Sequence, residues 1–133
     1  MAQFATVGFR DIGDELKVIV VFDGSPSSSL CVTSYLDKLG DIYDQKRQMS
    51  ILYNAQDISM APSNLGHIWV QAKFMRDRDE MTKTYVRKVA IVIKKGSFAR
   101  TMLNKVFAIK PPACELGVFE DVPSAKLYLA DST

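Results

Sequence analysis

Two apolar segments near the start of the chain predict a pair of strands. Residues Ala5 to Ile12 alternate weakly between apolar and polar positions and end at Gly13-Asp14-Glu15, a sequence typical of a turn. The next segment, LKVIVVFDG, is rich in β-branched residues and stops at Asp23-Gly24. So short a connection indicates an antiparallel hairpin. The second strand is apolar at consecutive positions and is therefore predicted to be central in the sheet.

A helix and a third strand follow the hairpin. Ser25 is predicted to be the N-cap and Pro26 the first helical residue, where the missing N–H of proline does no harm. One predicted apolar face comprises Leu30, Tyr35, Leu36, Leu39, Ile42 and Tyr43. The segment MSILYNA is then predicted to form the third strand.

The second half of the chain repeats this alternation of helices and strands. The second helix is predicted to run from about Ser63 into the 70s, and VRKVAIVIKKG gives the fourth strand. Ser97 is predicted to cap a third helix, Glu115 to Phe119 to form a short fifth strand, and Asp121 to cap a last helix. Residues predicted to face inward from the second and third helices are Leu65, Ile68, Ala72, Met75, Met102, Leu103, Val106 and Phe107.

The resulting order, β-β-α-β-α-β-α-β-α, predicts an α/β fold. Helices between strands favour parallel pairing, so we expect a single mixed sheet of about five strands with about four helices, antiparallel only at the N-terminal hairpin. No linker or repeat divides the 133 residues, which we interpret as one domain spanning 1–133.

Composition narrows the class of protein. The chain is 47% hydrophobic and 24% charged, which is typical of a folded globular domain. No apolar run approaches the ~18 residues of a membrane span, and the first residues do not resemble a secretory signal. Cys31 and Cys114 are too few for a disulfide scaffold, and both are predicted to be buried thiols in a cytoplasmic protein.

Positive charge is concentrated in one segment. Residues 68–110 contain 11 of the 17 Lys and Arg residues but only three acids, a net charge of +8 in a chain whose total is +2. Two interpretations remain open. The segment is either a solvated helical surface or a surface that attracts an acidic protein, a phosphate or an anionic headgroup. No nucleic-acid-binding motif accompanies these charges, so nucleic acid is not an expected partner.

Two local motifs resemble the STAS domain family. After the strand SILYN and Asp57, the segment MAPSNLG places Met60, Ser63, Leu65 and Gly66 in register with the motif of bacterial anti-sigma-factor antagonists. The segment VFEDVPSAKLYL resembles the end of the small stand-alone relatives grouped as SpoIIAA-like or STAS/SEC14 proteins, with the matched residues Phe119, Asp121, Ala125 and Leu129.

The resemblance implies a non-catalytic regulatory module that binds a protein partner. The partner would contact the loop at 57–66 and the start of the second helix, with Asp57, Ser63, Asn64 and Leu65 as site residues. Ser63 falls at the phosphoacceptor position of the antagonists, but Ala61 and Pro62 replace the Asp and Ser that precede it there. A serine at this place either caps the helix or acts as a phosphorylation switch, and both roles use the same geometry.

The predicted topology also suggests a second function. Strand ends at Asp23, Asp57 and Lys94 should meet at the carboxyl edge of the sheet, where open α/β sheets bind ligands. Lys94, Lys95 and Ser97 precede a helix and could hold an anion there. The alternative function is therefore binding of a small lipid or anion at this edge. Some relatives of this fold hold apolar ligands between sheet and helices, and the basic segment could contact a headgroup.

Catalytic chemistry is not expected. His67 is the only histidine, and with no Cys pair beside it a zinc or iron site is not predicted. Ser63 and His67 lack the Gly-x-Ser-x-Gly turn of a serine hydrolase. We therefore predict neither a catalytic residue nor a cofactor.

Overall fold

The structure is a computed structural model that describes residues 4–24, 29–59, 65–109 and 111–130. Its strands are β1 (Ala5–Asp11), β2 (Leu16–Gly24), β3 (Met49–Ile58), β4 (Val86–Ile93) and β5 (Glu115–Phe119). Its helices are α1 (Ser29–Tyr43), α2 (Leu65–Asp77), α3 (Asp79–Tyr85), α4 (Phe98–Ile109) and α5 (Val122–Ala130). The predicted cap at Ser25 and Pro26 lies outside the described residues.

The five strands form one mixed sheet in the order β1-β2-β3-β4-β5. β1 is antiparallel to β2, whereas β2, β3, β4 and β5 run parallel to one another. The predicted fold class, the N-terminal hairpin and the central place of β2 are thereby confirmed. Burial along β2 alternates, with Leu16, Val18 and Val20 buried and Val21 38% exposed, so only one of its two faces is fully covered.

The two faces of the sheet are covered unequally. One face, which we call the inner face, carries Val18, Ile51 and Val89 and packs against residues of α1, α2 and α4. Among the described residues, Leu52, Ala90 and Val92 of the opposite face pack against α5, its flanking residue Phe119 and Ile19 of β2. Strand alternation accounts for this division, because neighbouring residues of a strand point to opposite faces.

Helix α1 provides much of the cover of the inner face. Its buried positions are Val32, Tyr35, Leu36, Leu39, Ile42 and Tyr43. The predicted apolar face is therefore right except at its first member. Leu30 is 66% exposed, on the first turn of the helix.

One helix more than expected is present. The chain leaves helical geometry at Arg78, with φ −110° and ψ 22°, and α3 then begins at Asp79. The Arg78 guanidinium lies 3.9 Å from the centre of the Phe74 ring, and the carbonyl of Arg78 accepts the Thr82 N–H. No glycine or proline marks this break, so the sequence pattern gave no indication of it.

Candidate functional site

A cavity of about 550 Å³ lies between the inner face of the sheet and the helices α1, α2 and α4. Phe22, Tyr53 and Ile91 contribute to it from the strands, and Ala72 and Leu103 from the helices. Most of its lining is apolar. The cavity borders the hydrophobic core and is accessible from solvent, and its size falls within the range of ~300–1,000 Å³ typical of small-molecule sites.

The cavity forms because α2 and α4 do not pack closely against the sheet. The predicted inward residues Met102, Leu103, Val106 and Phe107 of α4 all line it, and each is only partly buried. From α2, Ala72 and Met75 line it, whereas the side chains of Leu65 and Ile68 lie outside the description. The helices therefore face the sheet as predicted but do not close the space against it.

Three tyrosines stand in or beside the cavity. The Tyr35 hydroxyl donates a hydrogen bond to Oε1 of Gln71, and the hydroxyls of Tyr43 and Thr82 lie 3.2 Å apart. For the hydroxyl of Tyr53 no hydrogen-bond partner is found among the described residues. Burial raises the pKa of Tyr35, Tyr43 and Tyr53, so all three phenols are neutral at physiological pH.

The remaining polar groups of the lining are a thiol and charged groups from α2 and α3. Burial raises the pKa of the Cys114 thiol to about 11, which leaves it protonated and weakly nucleophilic. Lys73 and Arg76 line the cavity from α2 while remaining exposed to solvent. Asp79 also lines it, but its carboxylate lies 3.2 Å from Nζ of Lys83.

The carboxyl edge of the sheet brings together part of the predicted site. Asp23 and Asp57 are paired in register on neighbouring strands, and the Ser59 N–H donates to the Gly24 carbonyl at 2.7 Å. β4 ends at Ile93, which pairs with Ala55, so Lys94 and Lys95 follow at the same end of the sheet. Ser63 and Asn64 lie outside the described residues, and Leu65 is the first residue of α2.

Ser97 caps α4, as predicted. Its Oγ accepts the Arg100 N–H at 3.1 Å and donates to the Lys94 carbonyl at 2.8 Å. Lys94 and Lys95 are exposed, and neither they nor Ser97 line the cavity. Anion binding by this loop stays a prediction.

Two of the 11 cations of the segment 68–110 are paired with acids from outside it. Arg87 lies 2.7 Å from Glu15, Lys88 lies 3.3 Å from Glu115, and Lys88 is only 3% exposed. The Lys88 ammonium also donates to the Tyr128 carbonyl at 3.2 Å. These two cations connect β4 with Glu15 ahead of β2, with β5 and with α5, so the net charge of +8 overstates the charge that a partner would meet.

The structure gives no indication of a metal centre or a membrane span within the residues that it describes. No three His, Cys, Asp or Glu side chains there are grouped closely enough to hold a metal ion. No described helix combines the length and the apolar character needed to cross a bilayer. Cys31 and Cys114 are both partly buried.

The sequence analysis does not identify the part of the cavity that the sheet forms. The segment MSILYNA predicts a strand that contains Tyr53, but it does not indicate that Tyr53 belongs to a site. The signal was present in the alternation of the strand SILYN, because Tyr53 shares the inner face with Ile51 and is the polar-tipped residue of that face. A tyrosine among apolar strand positions needs a partner for its hydroxyl, and this requirement could have drawn attention to it.

Comparison with known proteins places the fold. No protein-family model matches the chain, and no curated protein matches it. Among solved structures, an uncharacterised protein with a SpoIIAA-like fold from Shewanella loihica PV-4 is 14% identical, with a TM-score of 0.69 over 98% of this chain and 97% of that one. The chain therefore has the SpoIIAA-like fold of STAS domains, and the predicted resemblance is confirmed at the level of the fold.

Two further structures share this fold. An anti-sigma factor antagonist from Mycobacterium paratuberculosis is 11% identical, with a TM-score of 0.55 over 96% of this chain and 95% of that one. The Bacillus cell fate determinant SpoIIAA in its phosphorylated form is 14% identical, with a TM-score of 0.51 over 93% of this chain and 99% of that one. At these identities the likeness concerns the fold alone.

Proposed function

We propose that the protein is a non-catalytic regulatory module of the STAS type that binds a protein partner through residues 57–66 and the start of α2. Two structures of the same fold are an anti-sigma factor antagonist and SpoIIAA, which supports a regulatory role. The observation that carries the proposal is the surface of α2. Trp69 is 56% exposed and Val70 beside it is 39% exposed. An exposed tryptophan is typical of the residues that dominate protein interfaces.

Affinity capture with purified variants tests this surface. Leu65→Arg and Trp69→Ala are expected to lose the partner, and Ser63→Asp to change its recovery if phosphorylation controls binding. Leu127→Ala is the matched control, because Leu127 is 75% exposed but lies on α5 against the opposite face. Equal recovery by all of these folded variants would show that the interface lies elsewhere.

The loop after β4 adds an electrostatic test. If the partner is acidic, Lys94→Glu/Lys95→Glu is expected to weaken its binding while leaving the fold intact. Because both lysines are exposed, their effect should act through steering and should fade as salt shortens the Debye length to about 3 Å at 1 M. Partner affinity that is the same in low and high salt would remove this loop from the binding surface.

The cavity favours a second function, binding of an apolar small molecule. This alternative differs from the site predicted at the carboxyl edge, because the cavity lies against the inner face and reaches that edge only through residues such as Ile58 and Ile93. Native mass spectrometry of the purified protein tests it. A co-purified mass released by organic solvent supports a ligand-binding protein, whereas an apo mass together with no uptake of a neutral hydrophobic dye contradicts it.

A further inference from the structure

The hydroxyl of Tyr53 is the polar feature of the cavity that the described residues leave unexplained. Tyr53 lies on the central strand β3, and its ring stacks against Phe22 with centroids 6.3 Å apart and planes inclined by 15°. This stacking fixes the position of the ring and hence of the hydroxyl. The hydroxyl itself has no hydrogen-bond partner among the described residues.

The neighbouring polar groups are already paired. The Tyr35 hydroxyl is bonded to Gln71, and the Tyr43 hydroxyl to Thr82. Tyr53 is only partly buried, and no fully buried polar side-chain atom among the described residues lacks a partner, so its hydroxyl is accessible from the cavity. A ligand that enters the cavity displaces water from this hydroxyl, and it loses affinity unless it replaces the hydrogen bond that the water made. A polar atom of the ligand beside Tyr53 is therefore favoured.

The surroundings of Tyr53 also disfavour a charged group on the ligand. Burial holds the pKa of Tyr53 well above its usual value, and the charged neighbours that would favour an anion are not among the causes of that shift. A ligand carboxylate beside Tyr53 would meet the same unfavourable desolvation. The cations of the lining, Lys73 and Arg76, are exposed on α2, so a charged group would stay at the solvent side.

We propose that Tyr53 orients the cavity's ligand, and that this ligand is an apolar molecule carrying an uncharged hydrogen-bonding oxygen, as in an alcohol, ketone or quinone. The phenol donates to that oxygen, or accepts from a ligand hydroxyl, while the apolar body lies against Phe22, Leu103 and Phe107. The proposal rests on the second proposed function and adds the chemical class of the ligand to it.

Calorimetric titration with three naphthalenes tests the proposal. The probes are 2-naphthol, 2-methylnaphthalene of nearly the same shape, and the anion 2-naphthoate. Tyr53→Phe keeps the stacked ring and is expected to lower the affinity for 2-naphthol about fivefold, the worth of one hydrogen bond. It should leave the affinity for 2-methylnaphthalene within about twofold, because that probe never used the hydroxyl. The wild type should bind 2-naphthoate more weakly than 2-naphthol.

Tyr43→Phe is the matched control, since it removes a paired hydroxyl from a residue that does not line the cavity. It should lower the urea midpoint of unfolding and leave the ratio of the affinities for 2-naphthol and 2-methylnaphthalene unchanged. Tyr53→Phe should leave the urea midpoint unchanged or raise it. A measurement on the wild type alone gives a second readout. The carbonyl stretch of bound 2-acetylnaphthalene is expected at the lower frequency of a hydrogen-bonded ketone.

The outcomes separate the two proposals. If both neutral probes bind the wild type, but Tyr53→Phe changes their two affinities equally or changes neither, the proposed role of Tyr53 is wrong and the proposal of ligand binding stands. An unshifted carbonyl stretch would lead to the same conclusion. If neither neutral probe binds to the wild type, both the ligand class and the second proposed function are wrong.

Discussion

The cavity makes a prediction about stability that has a definite sign. Ala99 lies on α4, lines the cavity and packs against the buried core, so Ala99→Leu places three additional carbon atoms in that space. Ala108 lies on the same helix but is exposed. The change Ala108→Leu is therefore a matched control, with the same side chain and the same helix but no cavity to fill.

The magnitude follows from the buried carbons. Full burial of three methylene-sized groups contributes about 2.4 kcal/mol at ~0.8 kcal/mol each. Ordering the leucine side chain costs about 0.5–1 kcal/mol, and leucine is a slightly weaker helix former than alanine. We therefore expect Ala99→Leu to raise the free energy of unfolding by about 1 kcal/mol, or to raise the Tm by about 4 °C for a domain of this size.

Urea denaturation followed by circular dichroism measures this difference, and the slope with urea should stay unchanged. The same variant should bind the neutral dye N-phenyl-1-naphthylamine more weakly, because the leucine occupies part of the dye's volume. Ala108→Leu should alter neither stability nor dye binding.

The opposite sign would refute the reasoning. Inserting a leucine into a core that is already filled costs about 1–3 kcal/mol, because neighbouring side chains must move. Destabilisation of Ala99→Leu by that amount would mean that α4 packs closely against the sheet. Ala99→Leu and Ala108→Leu of equal stability would mean that residue 99 does not border an internal space.

Three further predictions concern the frame around the site. Ser97→Ala should lower the free energy of unfolding by about 1 kcal/mol in urea titrations, because it removes the cap of α4, and an unchanged midpoint would contradict the cap. Gly117→Ala should cost about 1–3 kcal/mol because its Cβ would approach aromatic ring atoms to 2.8 Å, whereas Gly66→Ala, with open space around its Cβ, should be neutral or stabilising. The Arg47 guanidinium lowers the pKa of the Asp11 carboxyl to about 2 from an ordinary 3.8, so this pair stabilises the fold above pH 4 and loses that effect as pH falls to 2. Arg47→Ala should therefore be less stable than the wild type near neutral pH and approach it in acid, and a constant difference across that range would contradict the linkage.

The strands and helix caps could be predicted because their causes are local. The β-branched run of β2 needs no distant partner to identify it, and Asp121 shows its role through the Ser124 N–H that it accepts at 2.8 Å. The cap that Ser97 forms with the Arg100 N–H is also a contact between residues close in the sequence. Such features depend on a few consecutive residues, which a sequence displays directly.

The cavity and the charge pairs depend on distances across the fold, and the sequence did not show them. Helical periodicity tells which side of α4 faces the sheet, but not how far the helix stands from it. Arg87 and Glu15 are 72 positions apart in the chain and 2.7 Å apart in space. Their neutralisation could not be inferred from counting charges, so the segment 68–110 seemed more basic than its surface is.

Trp69 belongs to both proposed binding sites. Trp69 lines the cavity and is also 56% exposed on the surface where a partner is expected. A ligand that contacts Trp69 from within therefore touches the residue that the partner would touch from outside. Thermodynamic linkage then requires that any factor by which the ligand changes partner affinity is the factor by which the partner changes ligand affinity. Trp69→Ala should alter both affinities, whereas Leu127→Ala, on the opposite face, should alter neither.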